Sequence, residues 1–207
     1  FLGLALVFTL AITLDLYGSV YDSFAAAFRY ASFQAVSILT TTGYATADYE
    51  LFPGLSQVIL FACMFMGASA GSTGGGMKIA RLIVCCKFAY RELFRLIHPR
   101  NVRHVKLNRM VVSEDVLRSI MGFLALYLFL FVAASAVLAA MGLDLVTALG
   151  AVASCLGNIG PGFGTVGPAE NFAHLPAMAK WVLAWCMLLG RLEIYTIIIL
   201  VVPEFWK

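Results

Sequence analysis

The segment Ser37-Ile38-Leu39-Thr40-Thr41-Thr42-Gly43-Tyr44 decides how this chain can fold. It is rich in hydroxyl groups, yet it lies in a chain that is 62% hydrophobic and only 12% charged. Apolar segments precede and follow it. Within a membrane, non-helical backbone survives only where protein covers it or where it lines a water-filled path. Residues 37–44 are therefore either a polar turn between helices or part of the lining of a pore.

The composition places the chain among integral membrane proteins. Its mean hydropathy is +0.93, and a soluble domain would need far more charge on its surface. A net charge of +3 is too small to indicate nucleic-acid binding. The chain begins at Phe1, inside an apolar run and without an initiating Met, which predicts a fragment or a trimmed start.

Metal, thiol and acid–base chemistry find no support in the sequence. The five cysteines form no Cys-x-x-Cys pair and the three histidines are scattered. The cysteines are therefore expected to pack as small hydrophobic residues. Since no pair of side chains suits covalent or acid–base catalysis, we expect neither an enzyme nor an organic cofactor.

The end of the opening segment can be aligned with a known ion filter. In potassium channels a Thr-Val-Gly-Tyr-Gly sequence presents backbone carbonyls that replace the hydration shell of the ion. Thr41-Thr42-Gly43-Tyr44-Ala45 can be laid over it position by position. Five residues alone favour a plain turn, so the remainder of the chain must decide.

The pattern of spans and short helices occurs twice along the chain. Each half has a span, a short helix, a loop with glycine and a second span. The predicted helical segments are 1–16, 23–39, 55–66, 79–97, 116–141, 142–156 and 176–202, with Ser23 and Ser113 as capping residues. Placing Gly43 on Gly160, an offset of 117 positions, also places Ser37 on Ser154. Weak internal repeats of this kind are common in transport proteins.

The charges of the loops predict the orientation in the membrane. The connector 99–115 and the helix before it are rich in Arg and Lys, so they should be cytoplasmic. The loops that contain Gly43 and Gly160 carry mostly acidic residues, so both should face the extracellular or periplasmic side. An acidic mouth would concentrate cations.

Four motifs in order resemble the Trk/Ktr/HKT superfamily of potassium transporters, most closely the bacterial Trk-type membrane subunit. They are Thr-Thr-Thr-Gly-Tyr, Gly-Ser-Thr-Gly-Gly-Gly-Met-Lys, Gly-Asn-Ile-Gly-Pro-Gly-Phe-Gly and Gly-Arg-Leu-Glu-Ile-Tyr-Thr. The resemblance implies an all-α membrane protein with four membrane–pore–membrane repeats around one pore. This chain resembles the third repeat (1–98) and the fourth (116–207), so the first and second repeats would be missing.

The resemblance also implies which residues act. Potassium would be the transported ion, held by backbone carbonyls of a degenerate filter. The filter residues of this chain would be Thr41, Thr42, Gly43, Tyr44, Asn158, Ile159, Gly160 and Pro161. A gate would be formed by Gly71, Ser72, Thr73, Gly74, Gly75, Gly76, Lys78 and Arg191. Implied partners are membrane lipid, a second copy of the full protein and a cytosolic nucleotide-binding regulatory subunit, in a multi-pass protein of the inner or plasma membrane.

Three alternatives remain open at this stage. A broken-helix secondary transporter for a small solute would share the interrupted spans. A membrane-embedded assembly or enzyme subunit is the second alternative, although the spans offer few catalytic carboxylates. Arg191, inside an apolar span, could pair with an acid on another helix instead of facing a pore. Glu193 is not its natural partner, because residues two positions apart on a helix point in different directions. Nucleotide binding at 71–78 is rejected, because Met77 separates Gly76 from Lys78 and breaks the P-loop pattern.

Overall fold

The structure is a computed structural model, which describes residues 1–69, 71–72, 74–98, 104–107, 110–192, 199 and 206. Over these residues the chain folds into seven α-helices that follow the predicted segments closely. The helices are α1 (Leu2–Leu16), α2 (Phe24–Leu39), α3 (Gly54–Met64), α4 (Ile79–Ile97), α5 (Glu114–Ala140), α6 (Leu145–Gly157) and α7 (Ala177–Arg191). The mostly helical fold is as predicted. The second half of the last predicted span, with Glu193, lies outside the described residues.

The helix starts differ from prediction in how they are capped. Ser23 and Ser113 stand at the N-cap positions of α2 and α5, but neither hydroxyl makes a capping hydrogen bond. Helix α6 begins at Leu145, later than the predicted 142, because Asp144 caps it by accepting a 3.0 Å hydrogen bond from the Thr147 N–H. Hydrogen bonding by the Thr147 hydroxyl, together with this bond from its N–H, lowers the pKa of the Asp144 carboxyl.

Small residues allow the helices of the first half to pack closely. Ala27, Ala31 and Ala35 recur every four residues on one face of α2, and all three are fully buried. This face packs beside Ile12 and Leu16 of α1. Alanine stripes of this kind let helix backbones approach without large side chains between them.

Helix α6 is the centre of the second half. Its residues from Thr147 to Gly157 are nearly all buried, and it packs against α5 and α7. The two halves share one core, since Ala153, Ile159 and Phe163 join the buried cluster formed by the first half. The ends of α2 and α6, which carry the predicted filter loops, are thus held in one packed body.

Two short ladders of β-structure add to the predicted all-α fold. Strands β1 (Met66–Gly67) and β2 (Met77–Lys78) pair in parallel, and β3 (Lys106–Leu107) and β4 (Met110–Val111) pair antiparallel. The sequence pattern predicts neither ladder. The first ladder forms because the glycine-rich segment cannot continue a helix, so the backbone groups at its two ends bond to each other.

Only some of the helices could cross a membrane by length. Among the described residues, α5 alone is both long and apolar enough to span a bilayer by itself. At 1.5 Å per residue its 27 residues extend about 40 Å. Three shorter apolar helices are α1, α3 and α6.

Candidate filter loops and gate

The loop that follows α2 has an unusual backbone at two positions. Thr41 has a φ of 55° and Gly43 a φ of 79°. Positive φ is uncommon for a threonine and easy for a glycine. The Thr42 N–H donates a 2.9 Å hydrogen bond back to the carbonyl oxygen of Ser37. We call residues 41–44 the first filter loop.

The loop that follows α6 repeats this geometry at an offset of 117 positions. Asn158 has a φ of 53° and Gly160 a φ of 120°. The Ile159 N–H donates a 3.0 Å hydrogen bond to the carbonyl oxygen of Ser154. We call residues 158–161 the second filter loop. Asn158 therefore matches Thr41, Gly160 matches Gly43, and Ser154 matches Ser37 in backbone role.

The two filter loops lie in direct contact. A methyl group built on Gly43 would overlap the carbonyl oxygen of Ile159 and lie 3.2 Å from Cδ of Pro161. Two separate features therefore require glycine at position 43: the positive φ and the close approach of the second loop. Gly160 has open space around its Cα, so only its φ favours glycine.

The side chains of the filter loops differ in exposure. Thr42 and Tyr44 are exposed, and Thr42 Oγ1 lies 2.8 Å from Thr40 Oγ1. Ile159 is buried, whereas Gly160 is exposed. The second loop therefore anchors in the core through Ile159, whereas no residue of the first loop is fully buried.

A glycine loop packs against both filter loops. The ladder of β1 and β2 closes this loop, residues 67–78, at its two ends. A methyl group on Gly74 would lie 3.0 Å from Oγ1 of Thr41, and one on Gly75 would lie 2.6 Å from the carbonyl oxygen of Gly157 and 2.8 Å from Cβ of Asn158. Bulkier residues could not sit so close. Thr73, a predicted gate residue, lies outside the described residues.

Lys78 holds the glycine loop in shape. Its ammonium group donates to the carbonyl oxygens of Ser72, at 2.9 Å, and of Gly74. It also lies 3.3 Å from the Ser72 hydroxyl. The ammonium group thereby supplies hydrogen-bond donors to two carbonyls that have no partner within a helix, because the helix is broken here.

Arg191 is the last residue of α7. The backbone just before it lies close in space to the start of the second filter loop. A methyl group on the preceding Gly190 would overlap the carbonyl oxygen of Leu156 and lie 2.8 Å from Nδ2 of Asn158. The Asn158 side chain also donates a 3.1 Å hydrogen bond to the carbonyl oxygen of Met187. The Arg191 side chain is exposed. The predicted positive group thus belongs to the segment that packs against the end of α6.

Sequence reasoning missed the residues that join the two loop regions. Tyr49 and Glu50, after the first filter loop, bond to Gly162 and to Gly164, after the second. Burial raises the pKa of the Glu50 carboxyl, outweighing the opposite effect of the Gly164 hydrogen bond. The contacts join residues more than 110 positions apart, and no local pattern signals them.

A sequence model of one protein family, TrkH, described as a cation transport protein, matches residues 2–207. The chain belongs to the TrkH family. The Trk system potassium uptake protein TrkH of Halomonas elongata is 42% identical over 179 residues, which are 86% of this chain and 37% of that protein. The protein of the same name from Vibrio parahaemolyticus is 43% identical over 191 residues, covering 92% of this chain and 38% of that protein.

A solved structure extends this likeness to three dimensions. The crystal structure of the potassium transporter TrkH from Vibrio parahaemolyticus superimposes with a TM-score of 0.92 at 40% identity. The match covers 100% of this chain and 44% of that chain. This TrkH-family chain thus spans less than half the length of these relatives. Membership of the family also makes it a membrane protein, as its composition predicts.

Proposed function

We propose that this chain forms the third and fourth repeats of a four-repeat protein that takes up potassium through one central pore. The third repeat would occupy residues 1–98 and the fourth 116–207, joined by the connector 99–115. Each repeat would contribute one filter loop and one filter glycine, here Gly43 and Gly160. The proposal includes no enzymatic step.

The matching geometry of the two filter loops is the observation that carries this proposal. Both follow a helix whose last residues are buried, both have a left-handed residue two positions before a positive-φ glycine, and they touch each other. Two equivalent loops in contact are what a shared filter requires, whereas independent turns need neither likeness nor contact. Backbone carbonyls around such a site replace the water of a dehydrating cation. The helix ends beside them, α2 and α6, add partial negative charge.

Potassium is proposed as the ion because of the relatives. The relatives from Halomonas elongata and Vibrio parahaemolyticus are named potassium uptake proteins, and the matching crystal structure is named a potassium transporter. The second loop has Asn158-Ile159 and Pro161 where the channel motif has Thr-Val and Tyr, so the two loops would surround the ion unequally. The filter would accordingly be less regular than that of a symmetric channel.

The glycine loop and Arg191 would control passage below the filter. The support is positional, since the glycine loop packs on Thr41 and on Asn158 together. A loop that touches both filter loops can obstruct the path between them. Lys78 would hold the obstructing shape, and Arg191 would place a positive barrier to cations near it.

The orientation and partners follow from the charges of the loops and from the family. The filter loops would face outward and the basic connector 99–115 would lie in the cytoplasm. That connector and the end of α4 would offer a docking surface to a cytosolic nucleotide-binding regulatory subunit. The complete protein would work as a homodimer in the inner or plasma membrane.

The test is ion uptake by the complete protein in cells that lack their own potassium uptake systems. Gly160→Ala should lower the ratio of potassium to sodium uptake, because alanine is strained at a φ of 120°. The matched control is Gly142→Ala, whose glycine also has positive φ (93°) and open space but lies outside the filter loops. Equal ratios in the wild type and Gly160→Ala would refute the filter assignment, and absence of potassium uptake by the wild type would refute the function.

A further inference from the structure

Two buried serines reach from the helices into the filter loops. The Ser37 hydroxyl, on α2, donates a 2.6 Å hydrogen bond to the carbonyl oxygen of Tyr44. The Ser154 hydroxyl, on α6, donates a 2.7 Å hydrogen bond to the carbonyl oxygen of Gly160 and accepts a 3.2 Å hydrogen bond from the Gly160 N–H. The serines are separated by the same 117 positions as the filter glycines.

These bonds are not the ordinary ones that hydroxyls make in helices. A serine or threonine within a helix commonly bonds back to a carbonyl one turn earlier. Thr13 and Thr40 do so here, to the carbonyl oxygens of Thr9 and Val36. Ser37 and Ser154 instead reach forward, past the end of their helices, to backbone six or seven positions ahead.

Burial makes these contacts hard to replace. Ser37 is 6% exposed and Ser154 1% exposed, so water cannot readily take the place of either hydroxyl. A buried hydroxyl that loses its partner bears the full cost of desolvation, so each serine favours the loop conformation that brings a carbonyl to it. Each filter loop is tied to its helix by a backbone bond near its start, from Thr42 or Ile159, and the serine bond adds a tie near its end.

We infer that Ser37 and Ser154 are positioning residues that set the direction of the filter carbonyls and thereby the preference between potassium and sodium. This inference rests on the proposed function. The Tyr44 and Gly160 carbonyl oxygens each give one lone pair to a serine and are held toward their helices. The carbonyls of the preceding residues in each loop then remain for the ion. Gly160 contributes mainly its conformation.

Transport by the complete protein tests this assignment. Ser37→Ala and Ser154→Ala should each lower the potassium-to-sodium uptake ratio about fivefold, the factor equivalent to one net hydrogen bond. Ser37→Thr and Ser154→Thr keep the hydroxyl, so each should retain a potassium-to-sodium uptake ratio closer to that of the wild type. Ser32→Ala is the matched control, because within the described part of the chain the Ser32 hydroxyl bonds only back to the Arg29 carbonyl of the same helix, at 3.0 Å.

Hydrogen exchange of the backbone tests the geometry without relying on transport. Ser154→Ala removes the acceptor of the Gly160 N–H, so this amide should exchange faster, while Ser32→Ala should leave it unchanged. An unchanged exchange rate, or an unchanged uptake ratio in both alanine variants, would overturn the inference. A wild-type protein without potassium uptake would overturn the proposed function, and the exchange result would then still decide whether the serines hold the loops.

Discussion

The phenol of Tyr49 donates a 2.7 Å hydrogen bond to the carbonyl oxygen of Gly162, 113 positions along the chain. Tyr49 is fully buried and its ring packs against Phe163, with ring centroids 5.0 Å apart. The next residue, Glu50, accepts a hydrogen bond from the Gly164 N–H. One short segment after the first filter loop therefore holds the segment after the second.

Tyr49→Phe should destabilise the fold by about 1–2 kcal/mol, because it leaves the buried Gly162 carbonyl without this donor while it preserves the ring packing. The expected result is a lower melting temperature of the complete protein. Tyr90→Phe is the control, since that tyrosine is 62% exposed. Equal melting temperatures for the two variants would show that the cross-link carries no net stability.

Glu50 should make stability depend on pH in the acidic range. Burial raises the pKa of this carboxyl above its ordinary value, so the folded protein binds more protons than the unfolded chain there. Stability from this group is therefore lost as pH rises from about 4.3 through the raised pKa. Glu50→Gln keeps an oxygen acceptor for the Gly164 N–H but removes the charge.

The melting temperature of Glu50→Gln relative to the wild type should accordingly increase between about pH 4 and pH 7. Glu50→Ala removes the acceptor as well and should be destabilised at every pH. A difference between Glu50→Gln and the wild type that stays constant over this range would contradict the expected titration.

Lys78→Met should raise potassium uptake under conditions in which the wild-type pore is mostly closed. Methionine is of similar length but cannot donate to the Ser72 and Gly74 carbonyls, so the glycine loop would lose the bonds that hold its shape. Lys87→Met is the control, because Lys87 donates to the Lys106 carbonyl on the connector. Uptake that is unchanged or reduced in Lys78→Met would contradict the gating role.

Gly75→Ala should also raise uptake, for a steric reason. Its methyl group would lie 2.6 Å from the Gly157 carbonyl oxygen, so the glycine loop must shift away from the second filter loop. Gly54→Ala is the control, since a methyl group there meets open space. Rubidium uptake measured over short times would detect the difference, and equal rates for both variants would argue against a loop that obstructs the pore.

The sequence predicted the helices well because their apolar segments are long and clearly interrupted. The predicted start and end of α4, at Ile79 and Ile97, agree with the structure. Gly43 and Gly160, which the internal repeat places at equivalent positions, both have positive φ.

The features that the sequence did not predict depend on contacts that no short sequence pattern encodes. Thr41 and Asn158 are left-handed although neither is glycine, and each lies within two residues of a helix end, where left-handed residues are common. The ladder of β1 and β2 joins residues on either side of the glycine loop. The roles of Tyr49 and Glu50 arise only once the two halves pack together, so each half alone carries no sign of them.

Locating the ion directly would show whether the two filter loops surround potassium with backbone oxygens. Crystals of the complete protein grown with rubidium, a potassium analogue with strong anomalous scattering, test it most directly. The account predicts an anomalous peak in contact with carbonyl oxygens of both the first and the second filter loop. A protein that takes up potassium yet shows its rubidium peaks only away from residues 41–44 and 158–161 would contradict it.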